Sequence, residues 1–376
     1  MAGIYIHFPF CKIRCNYCDF YSIIKIGFID EYLSALEKES KLQAGYLNSQ
    51  IVETIYFGGG TPSILGECEL RKVIESLNKY YRIANNSEIT LEVNPDDVNS
   101  EYFDKIKSLG INRISIGVQS FDDKTLELLG RRHNSKQVYE CVTSAVKADI
   151  QNIGIDLIYG LPGLDAKAWR STLNKAFELP IKHLSAYHLT YEKGTVFYKY
   201  LLEGKLFKTD EEESWRQFEM IHDLANENNF EHYEISNFAK KGFYSKHNTN
   251  YWNETPYLGL GPSAHSFNGY SRKWNYSNLK QYINLINSNK LTGEGEDLTL
   301  FNKANEYIIT RLRTKIGIDF ENFRKKYGED YNRILTNNFE KYLTSGHAER
   351  RNNFGFLTLK GWFISDKIMA ELMVLK

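Results

Sequence analysis

Neither sign of charge is in excess in this sequence: 47 basic residues stand against 47 acidic ones in 376 positions, and the formal net charge is zero. A balanced surface has no field to draw the chain to nucleic acid or to an anionic bilayer, so neither is expected as a partner. Long apolar runs are missing too. Hydrophobic residues make up 42% of the chain, enough for a sizeable core. Yet no stretch approaches the roughly 20 consecutive apolar residues that span a membrane. The opening decapeptide MAGIYIHFPF has no basic start, long apolar centre or small-residue cleavage site, and a soluble cytoplasmic protein is the expectation. Internal repeats and low-complexity tracts are absent. Cysteine is scarce, with five residues too unevenly placed for a secreted disulfide framework. Cys68 and Cys141 stand alone and read as buried, inert thiols. The other three crowd into positions 11 to 18.

What the first half does contain is alternation. Short β-branched or aromatic runs lie near Gly3–His7, Glu53–Phe57, Glu88–Val93, Arg113–Val118, Asn152–Ile158 and His183–His188. Amphipathic stretches separate them, near Phe28–Leu47, Glu69–Tyr81, Ser100–Ser108, Ser135–Ala148 and Lys167–Glu178. Such a pattern predicts right-handed βαβ crossovers and a parallel sheet, open or curled into a partial barrel. The alternation fades near residue 190. Asp210–Asn228 reads as a helix, and Phe230–Asn278 is aromatic and Gly-rich without a regular pattern. Helices are predicted again near Phe301–Arg313, Asp319–Tyr327 and Asp330–Ser345, then a hairpin within Ala348–Leu357 and a final helix over Lys360–Met373. Three units follow: a core to residue 190, a segment 191–289 completing its wall, and a small, mostly helical domain 290–376.

Directly after the first strand comes Cys11-x3-Cys15-x2-Cys18. Thiolates are soft ligands that suit zinc, copper(I) or iron–sulfur clusters. Structural zinc prefers four protein ligands. Phe20 follows where a fourth thiol could stand, and His7 lies on the strand, facing away from a loop wrapped round a metal. A cubane on three thiolates leaves one iron open to an outside ligand, whereas an electron carrier closes all four corners.

The run Tyr5-Ile-His-Phe-Pro-Phe-Cys11-Lys-Ile-Arg-Cys15-Asn-Tyr-Cys18-Asp-Phe20 resembles the radical-SAM proteins related to oxygen-independent coproporphyrinogen III oxidase, most closely their HemW subgroup of heme chaperones. The resemblance extends over essentially the whole chain. It implies an α/β fold, the radical-SAM partial (β/α)6 TIM-type barrel with a small, mostly helical C-terminal domain. It also implies a 4Fe-4S cluster on Cys11, Cys15 and Cys18, with S-adenosylmethionine chelating the open iron through its amino and carboxylate groups.

Polar residues at strand ends fit such a cofactor, because α/β folds build their sites there. After the second strand, Gly58-Gly59-Gly60-Thr61 lets backbone approach a ligand closely. The resemblance assigns Gly59, Gly60 and Thr61 to the methionine moiety. Glu92 ends an apolar strand, where a carboxylate is costly without a donor or cation; the cofactor's α-ammonium would serve. Gln119 occupies the same kind of position. Arg131 could fork onto a carboxylate, and the family pattern favours it over its neighbour Arg132. Asp156 lies within the apolar run GIDLIYG and suits a ribose hydroxyl. Tyr5, Tyr17 and Thr190 join the cofactor contacts by resemblance.

Two departures set the chain apart from the oxidases. They carry another cysteine two residues after the third, where Phe20 stands here, and an extension ahead of the cluster strand, which here starts at Gly3. Oxidative decarboxylation of coproporphyrinogen III is therefore not expected. His247-Asn-Thr-Asn-Tyr251-Trp252 matches the H-N-x-x-Y-W motif that the resemblance associates with heme. An imidazole can ligate heme iron, and aromatics can face a porphyrin. His265, near a Gly-rich loop, and His188 are further ligand candidates. The expected function is a heme chaperone that hands heme to an acceptor protein, with transient contact to membrane-bound hemoproteins. A radical-SAM oxidoreductase acting on a tetrapyrrole and a zinc-stabilised binding protein are the alternatives.

Overall fold

The computed structural model describes residues 1–374. Six strands follow the sequence pattern: β1 (Ala2–Phe8), β2 (Ile51–Gly59), β3 (Arg82–Val93), β4 (Arg113–Gln119), β5 (Asn152–Tyr159) and β6 (His183–His188). They lie side by side in chain order, all parallel. Helices Ile29–Leu42, Glu67–Tyr80, Ser100–Ser108, Ser135–Lys147 and Ala166–Glu178 fill the links between them. Caps fix where several of these start. Asn99, Asn134 and Asp165 each accept a hydrogen bond from the backbone three residues on, and Gln137 returns the bond at Asn134.

Side-chain alternation explains why the sheet has two different faces. Ile4, Ile6 and Phe8, Ile114, Ile116 and Val118, and Ile153, Ile155 and Leu157 are buried in the core with the helices' Leu36, Val142 and Leu173. The intervening positions hold Tyr5, Tyr56, Glu92, Ser115 and Asp156, which bond to one another or to neighbouring polar groups on the opposite face. The interior of this barrel is therefore polar, where many barrels of this kind are filled with branched aliphatics.

The stretch Phe230–Asn278, expected to be irregular, is instead built of short regular pieces. It contains β7 (Glu231–Glu234), β8 (Asn237–Ala239), a helix over Lys246–Trp252, β9 (Tyr257–Leu260), β10 (His265–Phe267) and β11 (Ser271–Trp274). Strands of three or four residues are too short for periodicity to reveal them. With β12 (Glu294–Asp297) they extend the sheet to the order β12-β11-β10-β9-β1-β2-β3-β4-β5-β6-β8-β7. β9 runs parallel to β1, with Gly259 beside Tyr5, and β8 runs antiparallel to β6. The sheet is thus a curved, open, mixed array.

A separate antiparallel sheet, β13 (Ile318–Asp319), β15 (Phe354–Leu357) and β14 (Ala348–Arg351), is accompanied by helices Leu300–Leu312, Phe320–Tyr327 and Glu329–Thr344. The predicted hairpin is β14–β15. The single terminal helix is not found: Ile364 leaves helical geometry and splits it into Leu359–Phe363 and Ser365–Leu372. The first piece is pinned by Trp362 Nε1 donating to the Leu312 carbonyl. A second correction concerns the lone thiols. Cys141 is buried, but Cys68 lies exposed in the first turn of helix Glu67–Tyr80. Among the described residues no helix is long and apolar enough to cross a membrane.

Candidate functional site

The cysteine loop leaves β1 and is tied down at three places. Near its base, Cys11 N donates to Ile23 O and Ile23 N to Pro9 O. Thr61 N then donates to Phe10 O at 2.8 Å, and Thr61 Oγ1 donates to Cys11 Sγ at 3.3 Å. That approach needs small residues after β2. A Cβ on Gly60 would lie 2.6 Å from the Phe10 carbonyl oxygen, and Gly59 has φ +106° with the His7 ring over it. At its far end the loop docks through Asn16, which gives its backbone N–H to Leu129 O and its side-chain amide to Leu128 O. These carbonyls end helix Asp123–Leu128, and Asn16 satisfies them.

The same helix end aims Arg131 into the loop. Arg131 N bonds to Leu126 O and Gly130 N to Glu127 O, the paired bonds of a Schellman motif, with Gly130 at φ +71°. Arg131 Nη1 lies 3.5 Å from Cys15 Sγ, and Nη2 donates to Asn94 Oδ1 at 2.5 Å and Gly117 O at 2.7 Å. Its Nε is buried without a partner. Arg132 does something else: it pairs with Asp96 at 2.7 Å and Asp97 at 2.9 Å. Gln119 sits at the β4 terminus with φ +66°, a left-handed conformation that a glutamine adopts at a cost. A Cβ on Gly117 would fall 3.1 Å from Gln119 Nε2 and 3.2 Å from Arg131 Nη2, so glycine there makes room for both side chains. Tyr17 packs beside them against the Leu129, Leu161 and Phe197 cluster.

Deeper in the barrel stand two carboxylates. Glu92 accepts from Tyr56 OH at 2.9 Å and from Gly59 N at 3.1 Å. Burial, then the nearby charge of Asp156, pushes its pKa up to about 7. Asp156 accepts from Ser115 Oγ at 3.3 Å, and burial raises its pKa too. Arg113, which sequence reasoning missed, opposes both shifts. It is 1% exposed, with Nε and Nη1 unpartnered. Its signal was an arginine heading the alternation RISIGVQ of β4, in which the positions between the aliphatics face the interior.

Tyr5 turns its ring into the same interior, where the hydroxyl lies 3.1 Å from His7 Nδ1. Its strand is flanked by β2 and β9. Thr190 is exposed just beyond β6, and His188 Nε2 lies 3.0 Å from Ser214 Oγ. His247 is 1% exposed. Its Nδ1 is 2.8 Å from Thr54 Oγ1, its Nε2 is 2.9 Å from Tyr251 OH, and its ring stacks on Tyr56. The structure thus gathers Cys11, Cys15, Cys18, Thr61, Arg131 and Gln119 at one end of the barrel, with Gly59, Glu92 and Asp156 beneath. His247 stands behind Tyr56, the hydroxyl donor to Glu92.

Residues 5–176 match the family model for the radical SAM superfamily, and residues 298–364 match that for the HemN C-terminal domain. The heme chaperone HemW of Bacillus subtilis is 33% identical over 99% of both chains. That of Lactococcus lactis is 35% identical over 98% of this chain and 97% of its own. This chain belongs to the HemW family. HemW proteins fall within the radical-SAM superfamily, which carries a 4Fe-4S cluster and S-adenosylmethionine. Among solved structures, coproporphyrinogen III oxidase HemN of Escherichia coli superposes with a TM-score of 0.87 at 21% identity, covering 99% of this chain and 90% of that one. That likeness establishes the fold.

The residues present fit the HemW cofactors. Cys11, Cys15 and Cys18 are free, partly exposed thiols. Among the described residues no three His, Cys, Asp or Glu side chains converge tightly enough for a single metal ion. A cubane is a larger body and holds its thiolates farther apart. Burial pushes the Cys18 thiol up to about 11 and raises Cys11 as well, so binding a cluster releases their protons. Glu92 is a half-buried carboxylate with hydroxyl and amide donors and, among the described residues, no ion pair; an α-ammonium would supply the cation. Held by these residues, the cluster and S-adenosylmethionine would supply one-electron chemistry.

Proposed function

We propose that this protein is a cytoplasmic heme chaperone that binds heme and passes it to an acceptor protein, with transient contact to membrane-bound hemoproteins. The observation that carries this reading is similarity over the whole chain to relatives named heme chaperones, C-terminal domain included. In this proposal Cys11, Cys15 and Cys18 hold the cluster, and Gly59, Gly60, Thr61, Glu92, Gln119, Arg131 and Asp156 hold S-adenosylmethionine, with Tyr5 and Tyr17 walling that site. Tyr251 and Trp252 supply aromatic surface for the porphyrin.

The competing reading is oxidation of a tetrapyrrole. The position at which the oxidases add a cysteine is Phe20, whose side chain is 64% exposed and contributes surface to the loop in place of a thiol. Anaerobic titration of the reconstituted protein with ferric heme tests the proposal. Saturable binding of one heme per chain, without turnover of coproporphyrinogen III, is the expected result. Turnover without heme binding would replace it by the oxidase reading.

A further inference from the structure

The aromatic segments around the HNxxYW motif enclose a cavity of about 540 Å³, within the roughly 300–1,000 Å³ of sites that take small-molecule ligands. Phe20 and Tyr21 reach it from the cysteine loop, Trp252 from the motif helix, and Phe267 from β10. The cavity therefore joins the cluster loop to the second half of the chain. Broad aromatic walls suit a large planar ligand, and a metal at the centre of that ligand needs a donor atom.

Histidine is the natural donor, and the chain has nine. Two line this cavity, His7 and His265. His7 is buried, with Nε2 2.8 Å from Tyr21 O and Nδ1 3.1 Å from Tyr5 OH, so both nitrogens are taken. His247 does not line the cavity. It stands behind Tyr251, which does, and both its ring nitrogens are likewise engaged. His133, His183, His188, His222, His232 and His347 each make a ring hydrogen bond elsewhere. Among the described residues His265 alone makes none. Its ring is exposed at the start of β10 and stacks on Trp274 at 6.2 Å, which fixes its plane while leaving the nitrogen edge open. Partial burial and the Arg272 guanidinium also favour its neutral form, the form that ligates iron.

Resting on the heme reading above, we infer that His265 is the axial ligand to heme bound in this aromatic cavity, and that His247 is a positioning residue that holds Tyr251 in its wall. Tyr251 Oη to His247 Nε2, and His247 Nδ1 to Thr54, form a relay from the wall to β2, while Trp252 continues the wall on the next residue. The motif then serves heme through its aromatics.

Ferric heme titrations of the cluster-loaded wild type, His265→Ala, His265→Tyr and His247→Ala separate the roles, with absorption and electron paramagnetic resonance as readouts. His265→Ala is expected to bind at least tenfold more weakly with a shifted Soret band, and added imidazole should restore the band. His265→Tyr should show the spectrum of a phenolate-ligated ferric heme. His247→Ala should keep the wild-type Soret position while binding more weakly. A wild-type spectrum and affinity in His265→Ala, with loss of the histidine signature in His247→Ala, would overturn the assignment and leave the heme reading standing. Failure of the wild type itself to bind heme would overturn both. His265 is exposed, so its replacement removes no core contact, and equal iron content and thermal midpoint in the His265 variants check this directly, while His247→Ala is read by its Soret position.

Discussion

Arg131 directs one guanidinium nitrogen at Cys15 Sγ, 3.5 Å away, while the other is held between Asn94 and Gly117. A guanidinium beside the cluster thiols, facing the same pocket, can take a cofactor carboxylate. Arg131→Met is expected to weaken S-adenosylmethionine binding by about tenfold to a hundredfold, the loss of one or two charged hydrogen bonds. Arg132→Met, which removes only the pairing with Asp96 and Asp97, should leave that affinity within about twofold. Calorimetric titration of the two reconstituted variants compares them.

Glu92 gives the cofactor-free chain a pH dependence of known sign. Its folded pKa, about 7, exceeds the ordinary value of 4.5, so folding favours the protonated carboxyl. Its contribution to stability is complete below about 4.5 and is lost as pH rises through about 7. In the cluster-free protein, Glu92→Gln should flatten the fall of the thermal midpoint across that window. S-adenosylmethionine binding to the loaded wild type should strengthen over the same range as the carboxylate forms, and do so less in the variant. Parallel midpoint curves for the two proteins would contradict the assignment.

His247 is inverted in sign. Burial and Arg113 lower its pKa to about 3, so the neutral ring is what folding favours. Its contribution is present above about 6.5 and is lost as pH falls toward 3. Truncation to alanine leaves a hole beside Tyr56, strands the hydroxyl of Tyr251 and leaves Thr54 only its bond from Asn250. A loss of about 2–4 kcal/mol in chemical denaturation at neutral pH is expected.

Gly60→Ala tests how the loop is seated. A methyl group 2.6 Å from the Phe10 carbonyl oxygen must push the cysteine loop away from β2, and with it Thr61 from Cys11. Iron incorporation should drop severalfold while the secondary structure, read by circular dichroism, is unchanged. Gly27→Ala, where an added Cβ meets nothing within 4 Å, is the control.

Much of this was legible in the sequence for a physical reason. The strands of the core announce themselves because several bury alternate sets of aliphatics, as Ile4 and Ile6, Ile114, Ile116 and Val118, and Ile153, Ile155 and Leu157 do. Cys11, Cys15 and Cys18 are legible by their local spacing, Gly60 because it directly follows a strand, and Arg131 only by family resemblance. What stayed hidden depends on contacts between distant segments. Asn16 matters because Leu128 and Leu129, more than a hundred residues later, end a helix of six residues beside it. Arg113 reads as a surface charge until its strand is seen with its polar face inward. β9 is four residues long and earns its place only by pairing with β1, and the break at Ile364 follows from Trp362 docking on Leu312. Phe20 and His265 look unrelated until the cavity between them appears.

The central claim is that three thiolates hold a 4Fe-4S cluster whose open iron takes S-adenosylmethionine. Electron paramagnetic resonance of the anaerobically reconstituted, reduced protein, recorded with and without S-adenosylmethionine, tests it most directly. The expected result is a reduced 4Fe-4S signal that changes when the cofactor is added and that is absent from a Cys15→Ala variant. Zinc in place of iron, or a cluster signal that the cofactor leaves unaltered, would contradict it.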